Sequence, residues 1–170
     1  MALSRADHKS LEGQNFLLDG VISFMFAQMS WAFAQQDDDI VLVPPDLSLL
    51  LGYLQDLDEV AHHAAPLRLG SRRFDQVDGG TRWSLLVLHI AADSSSRFVH
   101  HDSLRWVNIP HSRRLADTLR QLLCGNPQLM ECPIPSQELG SNDCGLYVLA
   151  VSQVICTSWR GRGHIGSSLF

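Results

Sequence analysis

The sequence predicts a single α+β domain, on three observations. Two long apolar runs, "FLLDGVISFMFAQMSWAFA" at 16–34 and "CGLYVLAVSQVICTSW" at 144–159, are too long for strands. Between them, "WSLLVLHIA" and "RFVHHDS" are β-rich and separated by "ADSSS", the pattern of an antiparallel hairpin. The chain has 170 residues, 45% of them apolar and 18% charged, which is enough for one real core and too apolar for disorder.

Each element follows in order. Residues 1–13 are polar and read as a flexible N-terminus. The first apolar run reads as a helix buried on most of its circumference, stopping near "QQDDD". "IVLV" reads as a short extended segment ended by Pro44 and Pro45, after which Asp46 is placed to cap a helix through "LSLLLGYLQ". "DLDEVAHHAAPLRLG" predicts a short helix closing at Pro66, and residues 70–82 are loop by composition. After the hairpin, "SRRLADTLRQLLCG" has helical periodicity with a closing glycine, and "QLMECPIP" predicts a short strand. The last helix has Cys144 in its first turn.

The bulk numbers exclude several classes. The formal net charge is −5 and the arginines lie singly or in pairs, so nucleic acid is not an expected partner. Residues 16–34 match a bilayer span in length, but Asp19, Gln28 and the acidic flank argue against a membrane. The start lacks a secretory signal, so a reducing compartment, cytoplasmic or nuclear, is expected. Cys124, Cys132, Cys144 and Cys156 are too widely spaced for a CxxC metal or redox motif, and each reads first as a small buried hydrophobe. No His/Asp pair has a recognised ligand spacing, so neither a metal nor a cofactor is expected.

Cys144 has a physical advantage over the other thiols. Free N–H groups and the positive end of a helix favour thiolate over thiol. Asn142 or Asp143 can cap that helix, and Gly145 allows close approach of other backbone. A cysteine nucleophile also needs a base and a group that orients the base, and the hairpin is the place to look for both.

Three motifs, "GGTRWSLLVL", "RFVHHDS" and "SQELGSNDCGLYV", resemble in this order the Ulp/SENP family of ubiquitin-like-modifier cysteine proteases. They are most similar to its deneddylase branch, where "GGTHWSLLVY", "FHYDS" and "DCGMYV" recur. Upstream, "FLLDGVISFMF" is similar to that family's "WLNDxxIxFxF" helix, so the resemblance covers about 14 to 157. It implies a papain-like α+β fold with a mostly antiparallel central sheet and a protease domain over 14–159. It also implies a monomer that binds a Nedd-type modifier, or SUMO, and its conjugates. By the same resemblance Cys144 is the nucleophile and Asp102 the group that orients the base. Trp83, Phe16 and Asp19 line a narrow tunnel for the modifier's Gly-Gly tail, a slot that selects glycine by excluding side chains.

The chain departs from the family pattern in four places. Arg82 stands at the catalytic histidine. Glu138 stands at the oxyanion-hole glutamine, six residues before the cysteine, and Gln137 is kept as the donor on a one-residue insertion. The segment before "GGT" reads only "SRRFDQVD", where the family has an apolar strand and an "NDN"-like stretch. Residues 160–170 read as a divergent or truncated tail.

A guanidinium beside Cys144 would stabilise a thiolate but cannot exchange a proton near neutrality. Asp102, without an imidazole to orient, is expected to pair with Arg82. His100, two residues from Asp102, is expected to share its strand face; His101 and His89 are expected to point elsewhere, and His100 and His101 read as packed or surface imidazoles. His62 and His63 have no partner motif. Three readings remain: a modifier-specific cysteine protease with impaired turnover, a non-catalytic modifier-binding module of the same fold, and an α+β scaffold with an inert Cys144.

Overall fold

The computed structural model describes residues 2–34, 40–53, 82–90, 96–104, 107–123, 125–138 and 140–162. The expected helix over "DLDEVAHHAAPLRLG" and the loop at 70–81 lie outside them.

A helix absent from the sequence reading opens the chain, α1 at Arg5–Ser10. Its cause is local: Ser4 Oγ accepts from the Asp7 N–H at 3.2 Å, while Asp7 Oδ2 accepts from the Ser4 N–H at 2.8 Å. Those bonds hold the Asp7 carboxyl below its ordinary range. The helix is docked as well as capped, because a Cβ on Gly20 would sit 2.3 Å from Asp7 Oδ1.

Helix α2, Asp19–Ala34, buries a stripe at Ile22, Phe26, Met29 and Phe33, spaced for one helical face. The far side is open at Trp31, which is 69% exposed, so α2 is one-sided rather than buried on most of its circumference. Among the described residues no helix is long and apolar enough to cross a membrane. Residues 40–43 belong to no helix or strand among the described residues, and Ile40 and Leu42 pack against the core. Helix α3, Pro45–Tyr53, starts one residue before the expected cap. Pro45 lacks the N–H that would be orphaned there, so Asp46 falls within the first turn.

Strands β1 (Leu85–His89) and β2 (Arg97–His101) form the expected antiparallel hairpin, registered from Leu85 opposite His101 to His89 opposite Arg97. Helix α4, Ile109–Arg120, then carries the chain across to β3, Gln128–Cys132, which runs parallel to β2. A parallel neighbour requires such a crossover. The sheet of the described residues is therefore mixed, in the order β1-β2-β3, within the α+β class.

The two faces of β2 meet different helices. Phe98 and His100 are fully buried on one, where the Arg120 guanidinium of α4 lies 5.5 Å from the Phe98 ring centre. On the other, Leu85 of β1 packs into the cluster of Leu17, Val21, Ile22, Phe26 and Val148. Val148 belongs to helix α5, Cys144–Arg162, which lies beside α2. The approach is close: a Cβ on Gly145 would lie 2.9 Å from Leu17 Cβ. Gly145→Ala should therefore cost about 2 kcal/mol by overpacking, despite alanine's better helix propensity, as read from urea unfolding.

Candidate functional site

The site assembles where α5 begins. Gly140 has φ +87°, a conformation open to glycine, and turns the chain toward Ser141–Asp143. The Asp143 carbonyl accepts the Tyr147 N–H at 3.0 Å, the opening bond of the helix. Cys144 follows, fully buried, with the N-terminal end of α5 at its back. It lines a narrow depression with Trp83, Leu85, His101, Ser103, Ile134 and Tyr147.

Trp83 is fixed from two sides. Its ring packs on the core cluster, and its indole Nε1–H donates to the Leu17 carbonyl at 2.8 Å. That bond ties the segment leading into β1 to the segment leading into α2. Phe16, one residue earlier, lies under Arg82, whose guanidinium carbon is 5.2 Å from the ring centre. Asn142 Nδ2 also donates to the Gln14 carbonyl, so residues 14–17 are held to the site at three points.

The carbonyl of Ser141, three residues before Cys144, is a shared acceptor. Arg82 donates to it at 3.2 Å and Gln137 Nε2 at 2.9 Å. Gln137 is buried and its amide is oriented from its other end, where Oε1 accepts the Ser103 hydroxyl at 2.7 Å. The Gln137 backbone N–H donates to the Ser103 carbonyl at 3.1 Å. The residue chosen across the "SQELG" insertion is thus held beside the cysteine's helix, while Glu138 is exposed.

Asp102 does not pair with Arg82, contrary to the sequence expectation. Its buried carboxylate turns to the entry of α4: Oδ1 accepts from the Leu104 N–H at 3.0 Å and from Asn108 Nδ2 at 3.3 Å, and Oδ2 from the Asn108 N–H at 3.1 Å. The competing donors are close in sequence and fixed, so they take the carboxylate while Ser141 takes the guanidinium. Asp19 stands exposed at the start of α2, apart from the depression.

The two adjacent histidines lie on opposite faces of β2, and the face that meets Cys144 is that of His101. His100 faces α4, fully buried, with Nδ1 2.8 Å from Glu131 Oε2. His101 faces α5 and lines the depression with Cys144. His89 shares that face, its ring centre 5.8 Å from that of Trp159. Sequence reasoning missed His101, Ser103 and Ser141. The signal was strand parity: His101 stands opposite Leu85, two residues beyond the recognised tryptophan.

Cys132, Cys144 and Cys156 are thiols rather than half-cystines. Burial pushes the Cys156 thiol above its ordinary range, an inert environment within the core. Among the described residues no group of three His, Cys, Asp or Glu side chains is placed to hold a metal ion.

No family model matches the chain. It is 29% identical over 175 residues to NEDD8-specific protease 1 of Arabidopsis thaliana, spanning 96% of this chain and 75% of that protein. It is 28% identical to sentrin-specific protease 8 of Rattus norvegicus, with 91% of this chain and 75% of that protein covered. For the Homo sapiens sentrin-specific protease 8 the identity is 26%, over 92% and 78%. The fold is that of a solved de-sumoylating protease, with a TM-score of 0.62 over 97% of this chain and 74% of that one at 15% identity. The chain is thus similar in sequence, over nearly its whole length, to the NEDD8-specific and sentrin-specific proteases, and in fold to the de-sumoylating protease.

Proposed function

We propose that this chain engages the C-terminal Gly-Gly tail of a ubiquitin-like modifier, Nedd-type before SUMO, and that Cys144 is its nucleophile with turnover impaired at position 82. The observation that carries the reading is the placement of Cys144. It is buried at the first residue of α5, in a slot walled by a tryptophan whose indole is pinned to the Leu17 carbonyl. In the reaction the thiolate attacks the carbonyl carbon of the terminal glycine and the C–N bond breaks. The amine leaves with a proton, and water hydrolyses the thioester to regenerate the thiol.

The residues around Cys144 suit the first half of that sequence better than the second. Gln137 has one amide hydrogen committed to Ser141 and a second available to a developing oxyanion. Arg82 supplies positive charge close to the helix start, which favours a thiolate. A guanidinium does not return a proton to a departing amine, so acylation should stall.

A second reading, a modifier-binding module without turnover, is favoured by one further observation. Arg82 and Asp102 are each committed elsewhere, to Ser141 and to Asn108, rather than to a shared proton relay.

The test uses the purified chain with a Nedd-type modifier bearing a C-terminal electrophile, and the same modifier bearing a fluorogenic amide. The expected outcome is covalent trapping that Cys144→Ala abolishes, with turnover at least about 100-fold below an active relative. Absence of trapping in folded protein would overturn the reading, and trapping with no turnover at all selects the binding module.

A further inference from the structure

We propose that His101 is the group that takes the proton of Cys144, a role the chain cannot fill from position 82. The inference rests on the reading of Cys144 as nucleophile. Its ground is placement. His101 stands opposite Leu85 in the hairpin, and Leu85 faces α5, so the imidazole is carried into the slot that Cys144 lines.

The ring is also chemically available. His101 Nδ1 is buried and has no hydrogen-bond partner among the described residues, a cost that a protein rarely carries without use. The groups facing it set its protonation. On β1 the partner is Leu85, without charge; on β3 they are Cys132 in register and Glu131 beside it; from α5 come Cys144 and Tyr147; on its own strand stands His100. Burial, with His100 next, pushes the His101 imidazole below its ordinary value, and Glu131 only partly offsets this. A neutral imidazole at physiological pH is an acceptor, as a base must be.

In the step itself, the S–H bond of Cys144 breaks and the proton passes to the imidazole, leaving a thiolate and an imidazolium. The imidazolium then gives that proton to the amine released when the C–N bond breaks. No oxidant or co-reactant is needed. The Asp102 carboxylate is committed to Leu104 and Asn108, so it does not orient this ring, and the relay runs slower than one with a fixed third member.

The experiment needs no modifier. Alkylation of Cys144 by iodoacetamide is followed from pH 5 to 9 by peptide mass, in the unaltered chain and in His101→Asn and His101→Gln. The unaltered chain should show a rate step where His101 titrates, below the ordinary imidazole value, and both variants should lose that step. At pH 7 the variants should react about tenfold more slowly. Identical profiles in all three overturn the inference. A readout that keeps His101 guards against misfolding: its imidazole titration, followed by proton NMR, should shift in Cys144→Ala, and an unshifted midpoint overturns the inference as well. Failure of modifier trapping would leave these profiles unchanged, so the two failures are distinguishable.

Discussion

Arg82→His raises hydrolysis of the fluorogenic modifier amide by about 100-fold, the lower end of what a positioned general base contributes. The surroundings of residue 82 are already built for the exchange. Trp83 is locked to the Leu17 carbonyl, so the backbone next to it is fixed, and residue 82 reaches a carbonyl only three residues before Cys144. What the substitution removes is small. The bond to Ser141 and the stacking on Phe16 together contribute about 1–2 kcal/mol at a half-exposed position.

What it gains is a proton carrier beside a buried thiol. Asp102, which would orient that imidazole, is already engaged: among the described residues Oδ1 accepts two hydrogen bonds and Oδ2 one. The gain is held to the low end because that carboxylate is shared with Asn108. Arg82→Ala, which removes the guanidinium without adding a base, should give no gain and separates the two effects. Turnover unchanged in Arg82→His, with trapping intact, would place the defect elsewhere in the site.

The sequence disclosed this fold where the pattern is long or paired. The apolar run after Cys144 became α5 and the two β-rich runs became the hairpin, because period and composition agree there. It disclosed less where tertiary partners decide. Period-2 alternation separates His100 from His101 but does not say which faces α5; that depends on register, fixed by the pairing of His101 with Leu85. The same limit hid the partner of Asp102, since Asn108 precedes a helix whose start lay at Ile109 rather than among the arginines that follow. Helix α1 was the opposite case. Ser4 and Asp7 spell a capping box in the sequence, yet a six-residue polar helix has no apolar period to announce it. Trp31 misled in a third way, because composition counted as core a side chain that lies on the open side of α2.

Asp102→Ala should destabilise the domain by about 3 kcal/mol whatever its effect on turnover, because it strands buried donors of the α4 entry. Asn108 sits at the N-cap of α4 without capping it; its side chain turns back to Asp102 instead. Removing the carboxylate leaves the Asn108 N–H buried without an acceptor and frees the Leu104 N–H, so two backbone groups and one amide lose their partner together. For a domain of this size the midpoint of thermal unfolding should fall by roughly 6–12 °C. Asp102→Asn keeps the shape and one carbonyl oxygen but sets an NH2 against a donor, so it should lose about half as much. The comparison separates two roles that a homologue's pattern merges. A residue that only orients a base would move turnover and leave the unfolding midpoint in place. A residue that fastens β2 to α4 moves the midpoint first, and lowers turnover in Arg82→His only through what is left of that fastening. An unchanged midpoint in Asp102→Ala would mean that the carboxylate stands free of Asn108 in solution, available to whichever base the site acquires.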